Sequence, residues 1–325
     1  MPTTLQDPVS HVNERKSPEE SAAPILSAAE QTRQSWARPV RSIDELPLAY
    51  HPFFEALPAD AFPYAVLTPT FTGFMRRETE RLVCCIDDRL VILEKTSGAP
   101  KCTTFRLAHL NYVEVGAVLL KAWIKFSGFA NESALTTVTL RFNAVTDRLF
   151  IPFLDRIRGA GTAPIVDRRD IELSQLGDAA LLSFKFRNYA RHSILPGAQV
   201  ITALGQPELR RTVVRIGRWS FRHTIVMAHV LILTDRELII IRDDPDSPAA
   251  VDNTRYGGVW DYIPLSKLGQ IVLAHHDVDR LALKLTLPHG DQIESLFGVD
   301  QCGAVERFLS QLIEWAPEAT LQRAG

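Results

Sequence analysis

The chain has 325 residues, of which 46% are hydrophobic and 23% charged, and 36 basic residues against 38 acidic ones give a net charge of −2. This composition is typical of a globular protein that is long enough for two domains, each with its own core. The near-zero net charge provides no global field for nucleic acid or an anionic membrane, so we expect no nucleic-acid partner, and membrane binding would have to come from local patches.

The beginning of the chain carries no sign of a packed element. Residues 1–40 are rich in Pro, Ser, Glu, Gln and Ala without a sustained apolar period, which predicts a disordered arm. The segment Met1–Ser17 lacks the layout of a signal peptide, and the longest apolar stretch, Thr224–Leu233, is too short to span a bilayer. The four cysteines have no regular spacing, which favours a reducing compartment. We therefore expect a cytoplasmic protein.

A first domain is predicted over residues 41–158. It opens with the aromatic cluster of Tyr50, Phe53 and Phe54, which is expected to form a helical lid on the rest of the domain. Apolar runs then predict a series of strands. These strands are Tyr64–Phe71, Glu80–Ile86, Arg89–Lys95, Thr103–Leu107, Tyr112–Leu119, Ala122–Phe126 and Leu135–Phe142.

A helical connector is predicted over residues 159–194. Gly159–Ala163 and Pro164 mark a boundary by their turn-forming composition. The segment Ile171–Ile194 then carries apolar side chains at helical spacing, so it is too apolar to be a simple linker.

A second domain is predicted over residues 195–316, with a tail at 317–325. Its clearest element is His229–Asp244, where an apolar run leads through an Asp-centred turn into another apolar run, as in a β-hairpin. A second hairpin is centred on Pro288–Asp291, and Ala304–Trp315 places its apolar side chains on one helical face.

The two domains repeat each other. Asp87, in the turn of Leu82–Lys95, matches Asp235 at an offset of 148 residues. Two further blocks match in the same order, namely Phe105–Leu110 with Ile263–Leu268 and Asp147–Leu154 with Glu306–Ile313. Ordered matches of this kind predict two copies of one unit, each made of several strands and a closing helix.

The apolar runs of the second-domain hairpin make a further prediction. Val230–Leu233 and Leu238–Ile241 do not alternate with polar residues, so both faces of the hairpin must be covered. If the strands of one copy curl into a small antiparallel barrel, that barrel covers only one face of the hairpin. The connector helix, the other copy or a second subunit must cover the remaining face, and we expect the two copies to pack together. Self-association is the alternative source of cover.

The segments Leu233–Ile241 and Tyr262–Leu273, followed by the closing helix, resemble the bacterial branch of the pleckstrin-homology-like superfold, close to the GRAM type. The resemblance covers residues 195–316 well and 57–158 less well. It implies a mainly β (α+β) fold of two small antiparallel barrels, each closed by a C-terminal helix and joined by the helical connector.

The first copy departs from this pattern at two places. Cys84 and Cys85 stand next to each other in an apolar strand and should face opposite sides of it, so we expect buried thiols. Pro152 lies inside the predicted closing helix, which leaves the limits of that helix open.

A candidate anion-binding patch follows the first strand of each copy. Arginines are interleaved there with apolar residues, and in pleckstrin-homology-like domains this loop commonly holds lipid phosphates, so the resemblance implies a headgroup site. The alternative is that these arginines form the solvent face of a half-exposed strand. The residues are Arg76, Arg77, Arg81, Arg210, Arg211, Arg215, Arg218 and Arg222.

No residue pattern predicts catalysis, a cofactor or a metal. His275, His276, Asp277 and Asp279 have the right types for metal ligands, but adjacent histidines on an extended segment point to opposite sides, which favours a hairpin turn. The chain contains no nucleophile elbow, zinc-binding helix pair, phosphate loop or dinucleotide-binding glycine pattern.

These patterns predict a non-catalytic binding or scaffolding protein that recognises a protein partner or an anionic headgroup. The alternative is an enzyme or a small-ligand binder with its site in the cleft between the two copies. A deep cleft with convergent ionisable groups favours the alternative, whereas a flat apolar or arginine-lined surface favours the binding protein.

Overall fold

The structure, a computed structural model, describes residues 36–55, 57–58, 61–72, 77–132, 134–159, 176, 183–216, 219–244 and 255–324. Most of the predicted arm, residues 1–35, therefore lies outside the described residues. The remainder of the arm is ordered, since Arg38–Val40 forms a strand and both Ala37 and Val40 are buried.

The first half of the molecule, residues 36–159, begins with β1 and two short 3-10 helices. Its strands are β1 (Arg38–Val40), β2 (Ala65–Thr68), β3 (Phe71–Thr72), β4 (Arg77–Glu78), β5 (Arg81–Ile86), β6 (Arg89–Glu94), β7 (Lys101–Val118), β8 (Lys121–Ala130) and β9 (Ala134–Asn143). The 3-10 helices are Ile43–Glu45, Leu48–Phe53 and Ala144–Phe150, and the last of them leads into α1 (Ile151–Ile157). Pro152 lies in the first turn of α1, where a backbone N–H would have no hydrogen-bond acceptor within the helix, so the proline is tolerated there.

The second half, residues 183–324, begins with a helix that belongs to the predicted connector. Its elements are α2 (Phe184–Ser193), β10 (Val200–Gln206), β11 (Leu209–Ile216), β12 (Trp219–Val226), β13 (His229–Thr234), β14 (Glu237–Arg242), β15 (Gly258–Pro264), β16 (Gln270–His275), β17 (Arg280–Thr286), β18 (Gln292–Gly298), α3 (Cys302–Trp315) and β19 (Thr320–Ala324). Short 3-10 helices cover Leu265–Lys267, Pro288–Gly290 and Val299–Gln301. Apart from Gly159, Leu176 and residues 183–194, the predicted connector lies outside the described residues.

The strands of both halves join in one 11-stranded sheet in the described part of the chain. The joint is the antiparallel pairing of β7 with β15, from Ala117 opposite Gly258 to Val113 opposite Tyr262. A four-stranded sheet holds β18, β17, β16 and β19 in that order. The prediction of a mainly β, largely antiparallel fold is confirmed. No closed barrel is found among the described strands, so the predicted architecture of two barrels stays a prediction.

The order of strand pairing is the same in the two halves. In the first half β2 pairs with β5, β5 with β6, and β6 with the start of β7. In the second half β10 pairs with β13, β13 with β14, and β14 with β15. Along the chain, a separate two-stranded hairpin lies between the first two of these strands in each half, β3–β4 in the first half and β11–β12 in the second.

Both faces of the β13–β14 hairpin are covered, as its apolar sequence predicts. One face packs into the large core beneath α3. The other face, which includes Ile232 and Ile239, packs against Phe186, Ala190 and Ile194 at the α2 end of the connector. The pairing of β7 with β15 confirms that the halves pack together. The connector helix therefore provides the cover that a second subunit would otherwise supply.

The aromatic segment at the start of the first half lies on the outer face of its sheet. Tyr50 and Phe54 are buried there beside Leu82 and Cys84, whereas Phe53 is partly exposed. At the other end of the chain, the predicted tail contains β19, which pairs in parallel with β16. No helix in the described ranges has the length and apolar character needed to cross a membrane.

Candidate functional site

Arg81, a member of the predicted anion-binding patch, is held by other protein groups. On β5, its Nη2 lies 3.1 Å from Oε2 of Glu94, and its Nη1 donates to the carbonyl oxygen of Thr139 at 2.6 Å. Burial raises the pKa of Glu94, but hydrogen bonds from Arg81 and Thr79 outweigh it and hold that pKa below its ordinary value. An incoming anion would have to break these contacts.

The arginines of the second half lie on a different sheet from Arg81. Arg210 pairs with Glu208, and Arg211 is 71% exposed with its Nη1 3.7 Å from Oδ2 of Asp279. The predicted patch is therefore divided between two places, and its described members already have carboxylate partners. Arg76 and Arg218 lie outside the described residues, as do the side chains of Arg77, Arg215 and Arg222.

The segment after β16 forms a turn, as predicted. Asp277 accepts hydrogen bonds from the backbone N–H of Asp279 and from Nε of Arg280, at 3.0 and 2.8 Å. The hydrogen bond from Arg280 lowers the pKa of Asp277. His276 instead lies 3.7 Å from Glu294. Among the residues that the structure describes, no three His, Cys, Asp or Glu side chains are placed to hold a metal ion.

Cys84 and Cys85 face opposite sides of β5, as predicted. Cys84 packs with Tyr50 on the outer face, and Cys85 packs with Phe105 in the core of the first half. Burial raises the pKa of Cys84 to about 12 and that of Cys85 to about 11. Both thiols are therefore protonated at neutral pH, which makes them poor nucleophiles.

A cluster of charged side chains lies where β7 meets β15. Glu114 accepts hydrogen bonds from Lys125 at 2.7 Å and Trp123 at 2.8 Å, and Arg242 links Glu114 to Asp261. Burial raises the pKa of Asp261 despite Arg242, whereas hydrogen bonds outweigh burial and lower the pKa of Glu114. Two cations thus match two carboxylates, so the cluster joins the halves and offers no unmatched charge to a ligand.

A cavity of about 160 Å³ lies between the halves. Its polar wall is a buried ion pair in which the Arg158 guanidinium donates to Glu237, donates to the carbonyl oxygen of Ser193 and stacks 3.8 Å from the ring centre of Tyr262. These groups satisfy one another. The cavity is also smaller than the roughly 300–1,000 Å³ of ordinary ligand pockets, so it does not favour a small-molecule site in the cleft.

A larger polar groove, of about 340 Å³, lies on the first half. Arg89 on β6 and Arg106 on β7 are directly opposite each other, so both guanidinium groups project from the same face. Their side chains are 54% and 44% exposed. The groove, hereafter the arginine groove, is lined by Arg89, Thr104, Arg106, His109, Phe129, Asn131 and Glu132.

The turn between β8 and β9 forms one wall of the arginine groove. Asn131 donates its backbone N–H to the carbonyl oxygen of Thr104 at 2.8 Å and accepts from the Thr104 N–H through its side chain at 2.9 Å. This places Glu132 with Oε1 2.8 Å from Nη2 of Arg106. Glu132 has a left-handed backbone, φ 55°, which costs a non-glycine residue about 1–2 kcal/mol. The turn is thus strained at the residue that faces Arg106.

The second half fixes the other wall. The ring of Phe129 stacks on His289 with 4.7 Å between ring centres. Close by, Asp291 accepts hydrogen bonds from Asn111 at 2.8 Å and from Ser127 at 2.7 Å. The β7–β8 hairpin is therefore held against the loop between β17 and β18, and the shape of the groove depends on both halves.

The arginine groove is not among the sites predicted from the sequence. Arg106 and His109 belong to a block that repeats in the second half, but that repeat indicates fold and not a site. The missing information is the register between β6 and β7. The observed register runs from Glu94 opposite Lys101 to Arg89 opposite Arg106, and only this register places the two arginines side by side.

In comparisons with known proteins, the chain matches no protein-family model, and no curated protein sequence is significantly similar to it. The function is therefore inferred from the geometry of the molecule.

Proposed function

We propose that this chain is a non-catalytic binding protein built from two pleckstrin-homology-like units, and that the arginine groove binds a phosphate-bearing anion. The repeated order of strand pairing and the helix that closes each half support the two units. The presence of four free cysteines, two of them buried, supports a cytoplasmic location.

The observation that carries the proposal is the cross-strand pair of Arg89 and Arg106. Like charges directly opposite each other on a sheet are destabilising. The carboxylates that contact them in the described part of the chain compensate them incompletely, since Asp88 is 4.0 Å from Arg89 and Glu132 is itself 66% exposed. A phosphate between the guanidinium groups would accept charge-assisted hydrogen bonds from both. His109 and Asn131 line the same groove and add further hydrogen-bonding groups.

The contrast with the other arginines supports this choice of site. Arg81 is half-buried and Arg158 is buried among carboxylate and carbonyl partners, and Arg242 bridges two carboxylates. Anion binding there would require the loss of several interactions. In the arginine groove the carboxylates beside the two arginines are exposed, since the side chains of Asp88 and Glu132 are 67% and 66% exposed, so an anion has to displace only solvated partners.

The test is binding of pyrophosphate, measured by calorimetry at low salt, together with sedimentation of phosphatidylcholine vesicles with and without phosphoinositide. Replacing both arginines, Arg89→Gln with Arg106→Gln, is expected to weaken pyrophosphate binding at least about tenfold, because a hydrogen bond to a charged group contributes about 1.5–3 kcal/mol. Glu132→Gln is expected to tighten binding a few-fold, because it removes the competing carboxylate from Arg106.

The matched control is Arg307→Gln, which changes an exposed arginine on α3 and should leave binding unchanged. A further variant, Arg210→Gln with Arg211→Gln, tests the patch predicted on β11. Loss of binding in that variant, with no loss in the groove variant, would contradict the proposed site. Vesicle binding without pyrophosphate binding would identify a membrane headgroup as the source of the phosphate. Absence of both in the unaltered protein would overturn the proposal.

A further inference from the structure

The outer edge of β16 is covered by a strand that follows α3. β19 runs parallel to β16, with Gln270 opposite Thr320 and Ala274 opposite Ala324. The N–H of Thr320 donates to the carbonyl oxygen of Gly269 at 2.8 Å. Of the described side chains of β19, Leu321 packs against the core of the second half. The strand is therefore held mainly by its backbone hydrogen bonds.

The equivalent edge in the first half is covered in another way. At the repeat offset of 158 residues, which relates Phe105 to Ile263, the segment 270–274 of β16 corresponds to 112–116 of β7. Residues 113–116 of that segment pair with β15 of the other half, in antiparallel register. The same edge of the repeated unit thus accepts a strand in both halves, from the partner half in one case and from β19 in the other.

A strand edge with unpaired N–H and C=O groups is a template for another chain. A parallel pair is slightly less stable per residue than an antiparallel one, so β19 is a comparatively weak cover. A second copy of this chain offers an identical edge, and two such edges pair antiparallel about a twofold axis. We propose that the outer edge of β16 is a strand-binding site for β16 of a second copy, and that β19 keeps it closed.

The first test opens the edge with one substitution. Since the N–H of Thr320 faces β16, alternation along the strand makes the N–H of Gln322 face it too. Gln322→Pro removes that donor from the ladder, whereas Gln322→Ala at the same position keeps it. Light scattering is expected to show twice the mass of the unaltered protein for the proline variant at micromolar concentration, and no change for the alanine variant.

The second test restores the cover in trans. A chain that lacks residues 320–325 is expected to form the same dimer, and an excess of a peptide with the sequence of residues 317–325 is expected to return it to the mass of the unaltered protein. A scrambled peptide should have no effect. The proposal is overturned if both variants keep the mass of the unaltered protein, or if they form larger aggregates that the matching peptide does not dissolve.

Discussion

At the scale of single residues, the fate of each ionisable side chain depends on whether the fold gives it a partner. His229 lies at the start of β13 and packs edge-on against Phe297, with 4.8 Å between ring centres. Its Nδ1 is 2.9 Å from the carbonyl oxygen of Met227, and its buried Nε2 has no hydrogen-bond partner among the residues that the structure describes. Arg242 stands opposite it on β14. Burial therefore outweighs the single hydrogen bond and lowers the pKa of His229 to about 4.

This shift predicts a pH dependence of stability. Below the ordinary His pKa of 6.5 the unfolded chain binds a proton that folded His229 takes up only near pH 4. The free energy of unfolding should therefore decrease by up to about 3 kcal/mol as the pH falls from 6.5 to about 4. Above pH 6.5 the titration of His229 should not affect stability. Denaturant unfolding of His229→Asn between pH 4 and 7 is expected to show a shallower dependence than the unaltered protein. Equal slopes would contradict the assignment.

At the scale of elements, most strands follow from apolar pattern alone. The predicted hairpins at 80–95 and 229–244, and the closing helix Ala304–Trp315, are within a few residues of the observed β5–β6, β13–β14 and α3. The two strands predicted at 103–107 and 112–119 are instead one long strand, β7. Its register with β8 shifts between Phe105 and Leu110, and this irregularity interrupts the apolar pattern without ending the strand.

Helix α2 is the element whose cover of the β13–β14 hairpin is most easily tested. Phe186 is buried against that hairpin, whereas Phe184, on the same helix, is 75% exposed. Phe186→Ala is expected to lower the free energy of unfolding by about 3–5 kcal/mol. Phe184→Ala, the same substitution two residues away, should change it by no more than about 0.5 kcal/mol. Equal effects in urea unfolding would show that α2 does not cover the hairpin.

At the scale of the whole molecule, the joint between β7 and β15 is what sequence pattern could not predict. The apolar pattern of the sequence indicates where strands occur and which of their faces are buried, but it does not indicate which strand edges pair with each other. The close approach at Gly257 belongs to this joint, because its φ is +75° and a Cβ there would lie 1.9 Å from the carbonyl oxygen of Ala117. The arginine groove was missed for the same reason, since Arg89 and Arg106 meet only through strand register.

The charged cluster around Glu114 explains how the joint selects one register. Breaking a buried ion pair by removing one partner leaves an uncompensated charge and costs about 3–5 kcal/mol. A shift of β15 along β7 by one residue would separate Asp261 from its position opposite Glu114. The cluster thus favours one alignment of the halves, and that alignment places His289 against Phe129 beside the groove.

The most direct test of this architecture is native-state hydrogen exchange followed residue by residue. If the two halves form one continuous sheet, the slowest amides of β5 and β6 in the first half and of β13 and β14 in the second should open with the same free energy, equal to that of global unfolding. Two separate values, with one half exchanging while the other stays protected, would contradict a single cooperative unit and would leave the halves as independent domains.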